Sequence, residues 1–350
     1  MRTMLSIIVP AYNVSLFIKK CISSLLNQNF SDYRIYIFDD GSTDDTGIIC
    51  DSFSNDEKIT TIHNNNIGCS LSRNEGILLS DSKYIMFVDG DDWIEENTLK
   101  ELIEKMEKEG VDYLRFNYYK ETTSQVKNLN VFLKERIYEG KNDIDGLISN
   151  SIGLKEKELK YLEKFNFMSS CCTCIYKRDF LVKNNIKFKD YKEIGLFVDG
   201  LFNLDVLLNR PVFCFVDKHI YHYRKYNGSA TKKIKRNLLE KEIKVIDSIK
   251  EKLGPLAPNY SVELSNRLCF ACVEIFLNIC RDETKSKTVK INEIKKVLEN
   301  EKIKGAIKQF KLKYLNFKWS MYYLFAKLKF GYGLYLLTTY IKRRMDSKNE

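Results

Sequence analysis

Hydrophobic and polar residues alternate with two different periods along the first 110 positions. Short apolar runs end at proline or aspartate, which is typical of buried strands, and the stretches between them have the periodicity of amphipathic helices. The pattern predicts strands at 5–10, 33–38, 58–63 and 83–88, and helices at 15–28, 46–53, 72–79 and 95–109. Repeats of this kind predict an α/β fold, with a mostly parallel sheet flanked by helices.

The rest of the chain changes character in two places. Residues 111–170 mix strand and helix signals, so the sequence gives no detailed assignment there. From about residue 233 onward the periodicity is helical, which predicts a helical C-terminal extension. Its helices are expected at 233–253, 261–281, 288–310 and 315–343. The charge run at 232–236 is the most plausible domain boundary, which gives expected domains at 1–231 and 232–350.

Composition narrows the class of protein. The 350 residues are 44% hydrophobic and 30% charged, with 4 prolines and 16 glycines, which excludes a disordered or collagen-like chain. Ten cysteines are too few for a disulfide scaffold, and the first residues lack the long apolar stretch of a signal peptide. We therefore expect a cytoplasmic protein whose cysteines are thiols.

Charge is distributed unevenly along the chain. Residues 1–230 carry 30 Lys and Arg against 34 Asp and Glu, whereas residues 231–350 carry 27 against 13. Between Lys302 and Met345 there are eleven basic and no acidic residues, and 310–340 contains eleven aromatic residues. This composition favours a segment that lies on an anionic membrane surface. The alternative is packing on the first domain with a solvated basic face, and a nucleic-acid patch is disfavoured. Lys327 and Lys329 argue against a spanning helix.

An acidic turn follows the strand predicted at 83–88. Asp89, Asp91 and Asp92 would repel one another unless a cation neutralises them, and Mg²⁺ or Mn²⁺ would do so while leaving positions for phosphate oxygens. The alternative is a solvated turn in which Asp92 caps the next helix. The turn is therefore a candidate metal site, with a structural alternative.

A second acidic cluster, at 39–46, follows another strand of the same predicted sheet. A carboxylate there can accept a hydrogen bond from a base imide or a ribose hydroxyl, whereas Thr43 or Asp44 could instead cap a helix. Arg73 lies between the two acidic loops in sequence, just inside a predicted helix. Its guanidinium could offset diphosphate charge or form an ordinary salt bridge with an aspartate.

Four segments carry a family resemblance in this order: IVPAYN, FDDGSTDDT, IGCSLSRNEGI and FVDGDDWI. Together they resemble glycosyltransferase family 2, the inverting transferases of the GT-A fold, over about residues 4–110. The resemblance implies a UDP-sugar donor, with nucleotide binding by 1–110 and the acceptor side and base in 111–231. It also implies that Asp91 binds Mn²⁺ or Mg²⁺. The implied nucleotide-sugar-binding residues are Pro10, Ala11, Tyr12, Asn13, Asp40, Arg73, Asp89 and Gly90.

The resemblance also implies a catalytic base. The family's Glu-Asp pair corresponds to Val198-Asp199, so Asp199 is the expected base, with Glu193 as a possible contributor in place of the missing glutamate. A helix-terminus cap is the structural alternative for Asp199. His222 and Arg224 resemble the aromatic-basic strand that precedes the family's covering loop, here 228–231. These two side chains approach either the metal or the phosphates, or His222 is structural.

The expected function is metal-assisted transfer of a sugar to a hydroxyl of a glycan, for which a lipid-linked cell-envelope oligosaccharide at the inner membrane face is the favoured acceptor. One alternative is a sugar nucleotidyltransferase, although no glycine-rich, lysine-bearing loop follows the first strand. Another is a non-catalytic membrane-associated partner of a polysaccharide assembly complex. Cys171, Cys172 and Cys174 lack the ligand spacing of a zinc site, so packing or acceptor contact is preferred there.

Overall fold

The computed structural model describes residues 3–162, 165, 168–226 and 234–346. The chain divides into two compact units, Met1–Leu147 with Phe167–Lys225, and Ile148–Asn166 with Tyr226–Glu350. The division at 231/232 stays a prediction, and the structure adds that 148–166 groups with the C-terminal residues. The expected covering loop at 228–231 and the first two residues of the charge run lie outside the described residues.

The first unit alternates strands and helices as the sequence predicts for its first part. In chain order it contains β1 (Leu5–Ala11), α1 (Ile18–Leu26), β2 (Tyr33–Asp39), α2 (Thr46–Asp51), β3 (Ile59–His63), α3 (Cys69–Leu79), β4 (Tyr84–Phe87), β5 (Trp93–Ile94), α4 (Leu99–Glu109), β6 (Tyr113–Glu121), β7 (Val126–Leu129), β8 (Arg136–Tyr138), the start of α5 (Gly140–Ile152), β9 (Cys174–Lys177), α6 (Arg178–Lys183), α7 (Tyr191–Ile194), α8 (Val198–Leu208) and β10 (Phe213–Arg224).

These strands form one sheet in the order β3-β2-β1-β4-β9-β6-β10-β5, with β7 on β6 and β8 on β10. The pairs among β3, β2, β1 and β4 are parallel, so their carboxyl ends meet at one edge. In the register, Asp39 lies opposite both Ala11 and His63. The second half is mixed, because β9 runs antiparallel to both β4 and β6. The α/β prediction is confirmed.

Close packing of α3 on β1 sets the position of the helix that carries Arg73. Every residue of β1 is buried, as expected for its continuous apolar run. Gly76 faces this strand, and a Cβ added there would lie 2.7 Å from a side-chain carbon of Ile8. The absence of a side chain at Gly76 therefore allows α3 to approach the sheet closely, which fixes the preceding turn of the helix.

Three helix starts of the first unit differ from the sequence prediction. The helix expected at 15–28 begins at Ile18. The helix expected at 72–79 begins at Cys69, so Arg73 lies in its second turn rather than at its start. The helix expected at 95–109 begins only at Leu99. There the side-chain carbonyl of Gln28 accepts hydrogen bonds from the backbone N–H groups of Thr98 (3.0 Å) and Leu99 (3.3 Å). The cap therefore comes from a residue 70 positions away.

The second unit is helical, as predicted. It contains the end of α5, then α9 (Leu238–Leu253), α10 (Ser261–Arg281), α11 (Lys287–Glu299), α12 (Glu301–Gln309), α13 (Phe317–Lys327) and α14 (Gly331–Asp346).

Two of the predicted long helices are broken. Asn300 ends α11, and its side chain caps α12 by accepting from Lys302 N (3.1 Å). Lys329, with φ of 51°, separates α13 from α14. Within the described ranges, every helix is either too short or too polar to span a bilayer.

Glu242 of α9 should make this unit sensitive to pH. Burial raises the pKa of Glu242 from 4.5 to about 7, although the nearby positive charge of Arg267 lowers it. Between these two pH values the native chain holds a proton that the unfolded chain has released, so stability falls as the pH rises from about 4.5 to 7.

Glu242→Gln should remove this dependence. At pH 8 the variant is expected to be more stable than the wild type by roughly 3 kcal/mol, and at pH 4.5 the two should be nearly equal. Urea unfolding at several pH values measures the difference, and Glu251→Gln, at an exposed position of the same helix, is the control. An identical pH dependence in wild type and Glu242→Gln would contradict the assignment.

Candidate active site

A buried arginine joins two of the predicted site carboxylates. Arg73 is 4% exposed. One of its terminal nitrogens donates to Asp199 Oδ1 at 2.8 Å, and the other donates to Asp89 Oδ1 at 2.6 Å. Asp89 follows β4 almost directly, whereas Asp199 lies in the first turn of α8. The fold thus brings together three predicted residues that are 16 and 126 positions apart.

The second oxygen of Asp199 also has a partner, which the sequence did not assign. The thiol of Cys171 lies 3.3 Å from Asp199 Oδ2 and donates to it. Burial raises the pKa of the Cys171 thiol well above its ordinary value, so the proton needed for this bond stays on the sulfur. Among the described residues, no group of three or more His, Cys, Asp or Glu side chains could hold a metal ion. The preference for packing or acceptor contact over zinc at the cysteines stays a prediction.

The segment that carries Cys171 is held by two buried residues that the sequence analysis missed. Asn203 donates to the carbonyls of Met168 (2.9 Å) and Ser170 (3.0 Å). Arg115, fully buried in β6, donates to the same two carbonyls at 3.4 and 3.2 Å. The carbonyls that these two residues bind are 33 to 55 positions away in sequence. No local motif could therefore reveal their role.

The start of α8 fixes the position of Asp199. Phe197, the residue before the helix, has a left-handed backbone with φ of 55°. Its ring covers Gly200, where an added Cβ would overlap the ring atoms. Val198, which replaces the glutamate expected from the family resemblance, is buried. Val198 therefore contributes packing at this helix start, and a contribution of Glu193 stays a prediction.

The acidic turn is anchored at both ends. Gly90 donates its N–H to Pro10 O at 3.2 Å, and a Cβ there would lie 3.2 Å from that same oxygen. Asp92 is buried and accepts from Tyr221 Oη (2.5 Å) and Arg224 N (2.7 Å). The suggestion that Asp92 caps the next helix is therefore wrong, because its carboxylate instead ties β10 to the turn.

The carboxylates of this turn suit a divalent cation shared with a ligand. Burial, followed by the negative charges of Asp91 and Asp89, raises the pKa of Asp92 well above its ordinary value. The carboxylate of Asp92 is engaged by β10, whereas Asp91 is only half-buried on the same turn. One or two carboxylates completed by phosphate oxygens and water are a usual coordination for Mg²⁺, and Mn²⁺ accepts the same ligands. The residue types of the turn are compatible with the predicted metal, and Asp91 as its ligand stays a prediction.

His222 is structural rather than a phosphate or metal group. Its Nδ1 lies 2.7 Å from a carboxylate oxygen of Glu121, and its Nε2 lies 2.9 Å from one of Glu95. Its ring is stacked between the rings of Trp93 and Tyr119, at centroid distances of 4.7 and 4.5 Å. Both ring nitrogens thus have carboxylate partners.

Arg224 covers the acidic turn. Its Nε donates to the carbonyl of Asp91 at 2.8 Å, and its guanidinium lies over the rings of Phe17 and Trp93 at 4.6 and 4.5 Å. These contacts hold the side chain beside the backbone of the turn. Arg224 therefore shapes the turn on which Asp91 lies.

Asp40 is connected to the Arg73 cluster through a loop. It is buried, and its two oxygens accept from the backbone N–H groups of Ile67 and Gly68, each at 2.7 Å. Its own N–H donates to Ala11 O at 2.8 Å. Asp40 thus links the end of β1 to the loop that leads into α3. The predicted contact of Asp40 with uracil stays a prediction.

Two loops form a shared rim beside the end of β1. Asn13 has φ of 52°, and its side-chain oxygen accepts from Thr43 N at 2.8 Å. Its N–H donates to Ser42 Oγ at 3.0 Å. Tyr12 is about half exposed on this rim, whereas Pro10 and Ala11 are buried. The exposed ring of Tyr12 leaves a surface against which a base could lie. The suggested N-cap of α2 at Thr43 or Asp44 is wrong, because the N-cap residue is Asp45, whereas Asp44 accepts from the N–H of Thr46 at 3.0 Å.

Removal of the Arg73 charge should destabilise the first unit. Loss of one partner from a buried ion pair costs about 3–5 kcal/mol. The side chains of Asp89 and Asp199 are 37% and 26% exposed, so water can partly solvate them. We therefore expect Arg73→Met to lower the free energy of unfolding in urea by about 2 kcal/mol. Arg136→Met, which breaks a surface pair with Asp143, is the control and should cost less than about 1 kcal/mol. Equal losses would show that Arg73 has no special role.

The sheet order and the parallel strand ends, with carboxylates at their edge, define an α/β protein of the GT-A fold. The family model described as "Glycosyl transferase family 2" matches residues 6–183. The chain belongs to this family and is a glycosyltransferase.

Relatives and solved structures agree with this assignment. The chain is 28% identical over 317 residues to a protein of Bacillus subtilis (strain 168) described as "Uncharacterized glycosyltransferase EpsJ", covering 88% of this chain and 87% of that protein. It is 27% identical to "Poly(ribitol-phosphate) beta-N-acetylglucosaminyltransferase TarP" of Staphylococcus aureus (strain N315), over 62% and 61% of the two chains. The structure resembles S. aureus TarS 1–349 in complex with UDP-GlcNAc, with a TM-score of 0.65, 20% identity and coverage of 97% and 92%. The predicted GT-A fold is confirmed.

Proposed function

We propose that this glycosyltransferase is an inverting, metal-assisted enzyme that transfers a sugar from a UDP-sugar to a hydroxyl of a glycan. The contact of Arg73 with both Asp89 and Asp199 carries the proposal, because it joins the predicted donor side to the predicted base within one site. Family membership favours transfer over the sugar nucleotidyltransferase and non-catalytic alternatives.

The proposed reaction is a single displacement. The acceptor oxygen forms a bond to the anomeric carbon of the donor while the bond from that carbon to UDP breaks, and UDP leaves with the electron pair. The acceptor proton passes to Asp199. A carboxylate offers about four acceptor positions, so Asp199 can bind Arg73, Cys171 and the acceptor hydroxyl together. Attack opposite the leaving group inverts the configuration.

The site residues have separate tasks in this scheme. Arg73 aims the Asp199 carboxylate, because the guanidinium is fixed by burial and by its contact with Asp89. Asp91 would hold Mn²⁺ or Mg²⁺, which when bound neutralises the charge of the departing diphosphate. Tyr12 borders the base, and Asp40 holds the loop beneath it.

The relatives support the choice of donor and acceptor class. The TarS structure contains UDP-GlcNAc, and TarP is described as an N-acetylglucosaminyltransferase acting on poly(ribitol-phosphate). For this chain we propose a UDP-sugar donor and, as acceptor, a cell-surface polysaccharide or its lipid-linked intermediate. We also propose that the protein is cytoplasmic and peripheral on the inner face of the membrane, where such an intermediate is presented.

A panel of UDP-sugars with Mn²⁺ tests the proposal. We expect one or a few donors to release UDP slowly by hydrolysis, and release should stop with a chelator. GDP- and ADP-sugars serve as controls and should give little release. Release of pyrophosphate from UTP and a sugar phosphate, without UDP release from any UDP-sugar, would overturn the proposal.

A further inference from the structure

The last two helices form an antiparallel pair that packs on α10. The hydroxyl of Tyr322 in α13 lies 3.1 Å from that of Thr338 in α14, and both residues are buried. Tyr323 donates to Cys269 O of α10 at 3.0 Å. Where α13 begins and α14 ends, Lys318 Nζ lies 5.8 Å from the ring centre of Tyr340. Both helices thus turn one side toward the interior of the second unit.

The opposite sides of both helices are apolar and exposed. On α13 and its C-cap residue the exposed residues recur seven and four positions apart, and on α14 they recur every four, so each set lies on one side of its helix. Phe317 is 84% exposed and Leu328 is 67% exposed, which is unusual for such large apolar side chains. We call this surface the hairpin face; its members are Phe317, Leu324, Leu328, Tyr332, Leu336 and Tyr340.

Positive charges lie at both ends of the hairpin face. Lys327 and Lys329 are exposed where α13 gives way to α14, and Lys318, Arg343 and Arg344 are exposed at the other end. The guanidinium of Arg344 lies 5.4 Å from the ring centre of Tyr340. No Asp or Glu occurs between Lys302 and Met345. The surface therefore combines an apolar centre with cationic ends. The two helices that form it contain no acidic residue before Asp346.

We infer that the hairpin face is the surface that lies on an anionic lipid membrane. The apolar side chains would enter the boundary between head groups and acyl chains, and the cations would lie near lipid phosphates. A nucleic acid would match the charge but would leave the aliphatic Leu324, Leu328 and Leu336 unburied. The inference rests on the peripheral location proposed above and gives it a defined surface, and it is independent of the chemistry of sugar transfer.

Vesicle flotation with the full chain tests the inference. We expect the wild type to bind phosphatidylcholine vesicles containing about one third phosphatidylglycerol, and to bind pure phosphatidylcholine poorly. The double variant Leu328→Glu and Leu336→Glu should lower the partition coefficient at least about tenfold. The matched control is Val262→Glu with Val289→Glu, two exposed apolar positions of the same unit outside the hairpin face, and it should bind like the wild type.

A charge variant and an activity readout make the outcome decisive. Arg343→Glu with Arg344→Glu should also lower binding to the anionic vesicles, and the binding that remains should depend less on salt concentration than that of the wild type. In the absence of vesicles, the leucine double variant and the arginine double variant should both release UDP from the donor at the wild-type rate. The inference would be overturned if the wild type, the leucine double variant and the arginine double variant bound the anionic vesicles equally. It would also be overturned if a single-stranded RNA oligonucleotide displaced the wild type from the vesicles. A wild type that binds vesicles but releases no UDP would refute the proposed function alone.

Discussion

Asp199→Asn should lower kcat for sugar transfer about 10²–10⁴-fold while the donor still binds. The amide keeps the size of the side chain but cannot take the acceptor proton. It also retains one oxygen for the contact with Arg73, so the donor side of the site should change little. Product formation measures the loss, and calorimetric titration with the UDP-sugar measures binding.

The matched control is Asp205→Asn, because it makes the same chemical change on the same helix. Asp205 is six positions from Asp199, which places it about 120° away around the helix, so it lies on another side. We expect its kcat to stay within about threefold of the wild type. Transfer by Asp199→Asn at the wild-type rate would place the base elsewhere.

Asp91→Asn should abolish metal-dependent release of UDP, with a loss of at least about 10²-fold. Asparagine is nearly isosteric but neutral, so it is a poor ligand for a hard divalent cation. The variant should also bind Mn²⁺ more weakly in the presence of UDP, which calorimetry measures without turnover. Because Asp91 is half-buried, the urea concentration at the midpoint of unfolding should change little in this variant.

Asp247→Asn is the control for this charge change, since Asp247 forms an exposed pair with Lys302 far along the chain. It should retain both Mn²⁺ binding and UDP release. Near-normal turnover by Asp91→Asn, or unchanged Mn²⁺ binding, would contradict the assignment of Asp91 as the ligand.

The sequence predicts the order of strands and helices in the first 110 residues, because the two periodicities are local signals. It also predicts which loops carry charge at the strand ends. The start of α4 could not be predicted, because its cap comes from Gln28. By contrast, the break before α12 has a local signal, since Asn300 caps that helix with its own side chain.

The site was predictable in its residue types but not in its connections. Arg73, Asp89 and Asp199 were each candidates, yet their direct contacts depend on how α3, β4 and α8 pack. The roles of Cys171 and Arg115 were not predictable for the same reason, because each acts on a partner that only the folded chain brings near. Long-range packing, rather than composition, decides these roles.

Because a single guanidinium serves both Asp89 and Asp199, these two positions cannot vary independently. Substitutions at positions 89 and 199 should show epistasis, since removal of either carboxylate leaves the Arg73 guanidinium paired with the other one alone. Under the proposed mechanism, a substitution at position 89 that alters donor preference would therefore also affect proton transfer at position 199. Libraries that randomise positions 73, 89 and 199 together are the appropriate search space for altered specificity.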